Sequence, residues 1–199
     1  MATSLDILVA EDESLNALAL RSQLEALGHR VVGPAKDGRD AIALARARSI
    51  DLAILDIRMP GISGLEAAEQ IVQHRPVPVI LLTGYSDPEY VAQATLTPIF
   101  HSLVKPISIE DLGPAISVAC SRFEEWKRFK GEAEALGQKL EDRKLIERAK
   151  AVIMEMRGLS ESGAYRLLQK ESQNRNQPMA EIARTILMAE PLLRDSAIS

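Results

Sequence analysis

The chain has 199 residues, 46% of them hydrophobic, with 24 Lys and Arg against 28 Asp and Glu for a net charge of −4. That balance describes a folded, water-soluble protein with length for one ordinary domain and one small one. No apolar run approaches the ~20 residues of a membrane span, and a single cysteine, Cys120, excludes a disulfide framework or a thiol-based metal site.

The first residues lead into an apolar segment over 5–10 with no basic leader or cleavage pattern, so a cytoplasmic protein is expected. From there to about residue 120 two periodicities alternate. Short apolar runs at 7–10, 31–32, 52–55, 77–82 and 102–104 read as buried strands. Between them apolar residues recur at helical spacing. Leu15, Leu18, Leu20, Leu24 and Leu27 form a first stripe, closed by Gly28. Ala41, Ile42, Leu44 and Ala45 form a second, and Leu65, Ala68, Ile71 and Val72 a third. Residues 90–96 give a short fourth; Leu112, Ile116 and Ala119 give a fifth, with Cys120 as a small buried residue beside them. Continuous apolar strands alternating with helices require a parallel sheet covered on both faces. Five such units predict a doubly wound α/β domain whose ligand site lies at the carboxyl ends of the strands.

After Ser121 the character changes. Residues 123–156 contain no proline and are densely charged, and Trp126, Phe129, Ala133, Leu136 and Leu140 step by 3, 4, 3 and 4. This two-heptad seam suits a dimerising coiled coil and a helix folded back on its own protein equally well; Gly131 and Gly137 interrupt it. Three helices are predicted beyond it. One stops at Gly158, the second starts with Ser160 as N-cap, and the third follows Pro178 with Ile182, Ala183, Ile186 and Leu187 on one face. The division is therefore 1–121, a helical linker at 122–139, and a small three-helix bundle at 140–199. Residues 1–138 carry 13 Lys and Arg against 19 Asp and Glu, whereas 139–199 carry 11 against 9, which directs any polyanionic partner to the back half.

Chemistry-bearing residues stand at strand ends of the first domain: Glu11 and Asp12 after strand one, Asp56 after strand three, Thr83 after strand four, Lys105 after strand five. In a parallel sheet these ends share one edge. Converging carboxylates repel and raise one another's pKa values, and a hard divalent cation such as Mg²⁺ relieves this; the backbone carbonyl of Arg58 can add a ligand. Asp56 can act as a carboxylate nucleophile toward phosphorus, with Lys105 and Thr83 meeting the oxygens of the transferred group. A cis Lys105-Pro106 bond would set the turn that aims the lysine inward. Singly, each residue also fits a blander role: helix cap, turn or loop. The ordered set does not.

Those residues, with Leu55-Asp56-Ile57-Arg58-Met59-Pro60-Gly61, Thr83-Gly84 and Lys105-Pro106, make residues 5–120 resemble the receiver domain of two-component response regulators. The resemblance implies a flavodoxin-like fold, Asp56 as phosphoacceptor, Glu11 and Asp12 as Mg²⁺ ligands, Thr83 and Lys105 as sensors of the phosphoryl group, and a sensor histidine kinase as donor. Two departures stand out. Ser102 occupies the place of the usual aromatic switch residue, and Thr95-Leu96-Thr97-Pro98 replaces a Gly-Ala pair, so the fourth helix is expected to be short or irregular. Tyr85 is a weaker substitute for the aromatic, packing being its commoner role. His29, His74 and His101 are too scattered for a metal site.

Residues 140–190 resemble the ANTAR module, an RNA-binding antitermination domain. The residues that carry this are Arg143, Ile146-Glu147-Arg148-Ala149-Lys150-Ala151-Val152-Ile153-Met154, Gly158-Leu159-Ser160-Glu161, Ala164-Tyr165, Leu167-Leu168, Asn176 and Glu181-Ile182-Ala183. Ala151 and Ser172-Gln173 depart from the common pattern. Candidate RNA contacts are Arg143, Lys144, Arg148, Lys150, Arg157 and Arg166 for phosphates, Tyr165 for stacking and Asn176 for base reading. Interspersed glutamates also allow an ordinary salt-bridged surface. The chain is thus expected to be a non-enzymatic, phosphorylation-controlled regulator acting on a structured leader or terminator-overlapping RNA. DNA binding through a helix-turn-helix and sequestration of a protein partner are the alternatives.

Overall fold

The computed structural model describes residues 4–84 and 99–195. Tyr85, the 90–96 segment and Thr95-Leu96-Thr97-Pro98 lie outside them. Two compact units are present, Met1–Arg128 and Phe129–Ser199.

The first unit contains β1 (Asp6–Ala10), α1 (Ser14–Ala26), β2 (Arg30–Ala35), α2 (Gly38–Ala47), β3 (Leu52–Asp56), α3 (Gly64–His74), β4 (Val79–Thr83) and β5 (Ile99–Val104), followed by the start of α4 (Ile109–Arg157). All strand pairs are parallel, in the order β2-β1-β3-β4-β5. This is the doubly wound sheet expected. Strands alternate their side chains between the two faces, and the core divides accordingly. Leu8, Ala10, Ala53, Leu55, Val79 and Leu81 pack toward α2 and α3. Ile7, Val9, Leu52, Ile54, Ile80 and Leu82 pack toward α1 and α4. Because both faces are covered, β3 and β4 are buried at every position, which is why they read as continuous apolar runs.

Three sequence expectations need correction. Strands β2 and β5 are longer than their apolar runs, because hydrogen bonding to a neighbour also recruits polar residues such as Arg30 and His101. In α1 the buried stripe is Ala17, Leu20 and Leu24, with Leu27 partly buried behind it. Leu15 and Leu18 fall roughly 130–170° from the middle of that stripe at 100° per residue and are 80% and 63% exposed. Finally, the fifth helical stripe, the linker and the first helix of the bundle form one continuous helix, α4. Gly131 and Gly137 do not break it; a Cβ at either would meet only open space.

Phe123 is buried and stacks on Trp126 at 5.7 Å, with the Lys127 ammonium over its ring. Farther along the seam, Phe129, Leu136 and Leu140 are 59%, 70% and 56% exposed. Cys120 is half-buried against the core, and burial pushes its thiol pKa up.

The second unit holds the rest of α4, α5 (Glu161–Arg175) and α6 (Met179–Asp195) around Ala149, Ile153, Ala164, Leu168, Ile182 and Ala183. Gly158 has φ +63, which ends α4, and the Ser160 hydroxyl accepts the Gly163 amide as N-cap of α5. Among the described residues no helix is long and apolar enough to cross a membrane.

Candidate functional site

Parallel strands bring Glu11, just beyond β1, and Asp56, the last residue of β3, to one edge of the sheet, because Ala10 pairs with Leu55. This lies where strand order reverses between β1 and β3, the place where doubly wound folds open a crevice. β4 contributes Thr83 and β5 leads into Lys105, whose amide donates to the Thr83 carbonyl at 2.8 Å.

The carboxylates of Glu11, Asp12 and Asp56 offer oxygens that all lie within 4.8 Å of one another. Glu11 and Asp56 are buried, whereas Asp12 is exposed. The Lys105 ammonium bridges Glu11 and Asp56 at 2.7 Å to each. Burial pushes the Glu11 pKa up and Asp56 adds to the push, while Lys105 opposes both. For Lys105, burial acts to lower the pKa, but hydrogen bonds and charge from Asp56 and Glu11 outweigh it and leave the ammonium more firmly protonated. The Lys105-Pro106 bond is cis, as the sequence reading expected; Gly33-Pro34 is cis as well. The adjoining recess, about 440 Å³, is lined by Glu11, Asn16, Gln23, Lys105, Pro106 and Ile107 among others.

This donor set fits a hard cation. Oxygens on opposite sides of an octahedral Mg²⁺ stand ~4.2 Å apart, twice the usual bond length, so a cluster spanning 4.8 Å needs only small adjustment or one intervening water. The Arg58 amide donates to Asp56 Oδ1 at 3.3 Å, which holds that turn against the cluster. Thr83 is buried and its hydroxyl donates to the Leu103 carbonyl at 3.3 Å. Ser102 is half-buried on β5, paired with Leu81.

One contributor was missed by sequence reasoning. Gly64 opens α3 directly over the Asp56 backbone, and a Cβ there would run into the Asp56 carbonyl. Its amide bonds the Ile57 carbonyl at 3.0 Å, and Ser63 and Glu66 form a capping box around it. Ser63-Gly64-Leu65-Glu66 was the signal available.

In the second unit the candidate RNA residues differ in exposure and in partners. Arg143, Arg148 and Arg157 are exposed and have no carboxylate partner among the described residues. Lys144 pairs with Glu141 at 2.6 Å. Lys150 is the exception to an outward cation: it is 7% exposed and held by Glu147 at 2.8 Å and Glu161 at 2.7 Å. Tyr165 is 43% exposed, and Arg166 Nε donates to the Ser162 carbonyl. Asn176 is the left-handed C-cap of α5, at φ 50 and ψ 44, a conformation that asparagine tolerates better than most residues.

A five-stranded parallel sheet with acids just beyond β1 and at the end of β3 and a lysine beyond β5 is the arrangement of a receiver domain. Residues 7–117 match the response regulator receiver domain family, and residues 134–187 match the ANTAR domain family. The chain belongs to the response regulators that carry a receiver followed by an ANTAR domain. It is 39% identical over 181 residues to the transcriptional regulatory protein PdtaR of Mycobacterium tuberculosis, spanning 91% of this chain and 88% of that protein. The signal receiver domain of a modulated diguanylate cyclase from Desulfovibrio desulfuricans superposes with a TM-score of 0.57 at 31% identity, covering 61% of this chain and 98% of the other. A sensor histidine kinase receiver domain from Pseudomonas aeruginosa, solved with a magnesium ion in its active-site cleft, superposes with a TM-score of 0.54 at 25% identity, covering 60% and 99%.

Proposed function

We propose that Asp56 accepts a phosphoryl group from a sensor histidine kinase and that this controls RNA binding, and with it transcription antitermination, by the ANTAR domain. The supporting observation is the Lys105 ammonium bridging two buried carboxylates beside a third. Glu11, Asp12, Asp56 and the Arg58 carbonyl would hold Mg²⁺, which when bound neutralises carboxylate and phosphate charge. An Asp56 carboxylate oxygen attacks phosphorus, an Asp56 O–P bond forms, and the donor's N–P bond breaks. Lys105 then transfers its contact from the carboxylates to a phosphoryl oxygen, and Thr83 turns its hydroxyl from the Leu103 carbonyl to another.

The functional division is 1–121, a linker at 122–139 and 140–199, in a cytoplasmic protein. The exposed Phe129, Leu136 and Leu140 favour pairing of the linker with a second copy over a fold-back. RNA is favoured over duplex DNA because α6 exposes little for base reading: Arg184 is tied to Glu181 at 2.8 Å.

The test is labelling by acetyl phosphate and Mg²⁺. Wild-type chain should form an acid-stable, hydroxylamine-sensitive acyl phosphate and Asp56→Asn should not; equal labelling of both defeats the assignment. Binding to stem-loop RNA and to duplex DNA, across a salt series, tests the output.

A further inference from the structure

We propose that the linker seam of α4 pairs with the same seam of a second copy in antiparallel register, with Phe129 against Leu140, Ala133 against Leu136, and Glu132 facing Lys139 across the flank. This rests on the reading that the linker pairs with a second copy, and it adds the orientation and register of the two helices.

Three features of the seam lead there. First, its apolar side chains belong to no core. Phe129, Ala133, Leu136 and Leu140 are all exposed, and none contributes to the clusters that hold the two units together. Second, their sizes suit opposite chain directions. In a heptad frame Ala133 and Leu140 take the a positions, Phe129 and Leu136 the d positions. Parallel helices set like against like, so two small Ala133 side chains would meet and leave a gap between the Phe129 and Leu136 layers. Antiparallel helices set a against d. Each Ala133 then receives a Leu136 and each Phe129 a Leu140, so small meets large. The four layers span about 16 Å and close on a two-fold axis.

Third, the flanking charges select the same direction. Glu132 and Lys139 hold the g positions, which face each other only across antiparallel helices. In this register Glu132 of each copy meets Lys139 of the other, twice by symmetry. Both side chains are exposed, and among the described residues neither has an ion pair within its own chain. The e positions, Lys130 and Gly137, meet without like charges. Parallel helices instead set each g against the following e of the second copy. Glu132 would then face Gly137, which has no side chain, and Lys139 would face Lys144, a repulsion that Glu141 softens. Their one favourable contact, Glu125 with Lys130, competes with Glu134, which already faces Lys130 at 4.0 Å. Each helical bundle follows Leu140, so antiparallel pairing sends the two bundles off opposite ends of the seam.

The experiment follows self-association of the full chain by sedimentation equilibrium at low ionic strength, with and without acetyl phosphate and Mg²⁺. Glu132→Lys and Lys139→Glu should each weaken it by roughly 8- to 30-fold, because two exposed attractions become two repulsions. An equimolar mixture of the two variants should associate about as tightly as wild type, since both g contacts of the mixed pair are attractive again. Helix propensity is nearly the same for Glu and Lys and predicts no such rescue. Leu136→Glu, at a position 70% exposed in the chain, should abolish association through the seam in either orientation. If wild type stays monomeric in both states, or Leu136→Glu associates as wild type does, the linker reading falls and this inference with it. If Leu136→Glu is monomeric but Lys139→Glu associates more tightly than wild type, or the mixture is no tighter than its components, the pairing is not antiparallel and the inference alone is overturned.

Discussion

Replacing Lys105 by methionine isolates the electrostatics of the strand-end cluster. At an effective dielectric of ~20, each contact at 2.7 Å is worth roughly 6 kcal/mol of attraction before desolvation is counted. Two carboxylate oxygens no more than 4.8 Å apart repel by at least roughly 3.5 kcal/mol on the same scale. Lys105 is 24% exposed while Glu11 and Asp56 are 1% and 8% exposed, so water recovers part of the loss on the lysine side only. The net effect expected without divalent cation is about 3 kcal/mol of destabilisation, the lower end for removing one partner of a buried pair. A cation that binds only the folded state adds about 1.4 kcal/mol at ten times its Kd, and the more negative site left by Lys105→Met should bind it more tightly. Urea titrations at pH 7.5 in EDTA and in 10 mM Mg²⁺ can be followed through Trp126, the sole tryptophan, which stacks inside the first unit. A variant less than 1 kcal/mol weaker than wild type in EDTA, or one that gains no more from Mg²⁺ than wild type does, would refute the reasoning.

Gly64→Ala should cost about 3 kcal/mol, the upper range for overpacking, because its Cβ meets the Asp56 carbonyl; slower acyl-phosphate formation under native conditions checks that Asp56 has moved. Gly131→Ala and Gly137→Ala point into open space, so each should stabilise α4 by about 0.5–1 kcal/mol, seen as a higher Tm and more helical circular dichroism. In the Lys150 cluster, Glu161 has its pKa lowered chiefly by the Lys150 hydrogen bond, and Lys150 has its own raised by Glu147 and Glu161. A lowered carboxylate pKa means stability that is present above the ordinary glutamate range and lost as pH falls through the folded value. Thermal melts between pH 6 and pH 3 should therefore show a steeper acid loss for the second unit of wild type than of Lys150→Met; identical slopes exclude the clamp.

The receiver fold and its site were legible because a parallel sheet leaves few choices. Once the apolar runs at 7–10 and 52–55 are strands buried on both faces, the residues that follow them must emerge at one edge. Glu11 and Asp56 then meet whatever the helices between them do, and Lys105 follows from β5. Less legible were features decided by rotation about a helix axis. Leu15 and Leu18 satisfy a loose apolar pattern, yet Ala17, Leu20 and Leu24 make the better 3-4 stripe, and the longer leucines were left in solvent. Gly64 escaped notice for a related reason, since the need for a missing Cβ comes from a backbone carbonyl eight residues earlier in the chain.

Counting charges says less about the C-terminal half, because a helix surface does not oblige its cations to converge. Lys150 and Asn176 both belong to the candidate RNA set by residue type. In the fold, one is a buried lysine that ties α4 to α5 through ion pairs with two exposed glutamates, and the other ends α5 in a left-handed turn. Their substitution would weaken RNA binding even if neither touches RNA, so loss of affinity alone cannot assign them. Asn176→Gly separates the roles. Glycine meets the left-handed backbone at least as well as asparagine, so stability should hold within about 0.5 kcal/mol while any base-reading amide is gone. Unchanged RNA affinity in Asn176→Gly, measured beside a weakened Tyr165→Ala, would leave Asn176 as a cap and Tyr165 as the base contact. A weakened Asn176→Gly with unchanged stability would return Asn176 to the interface.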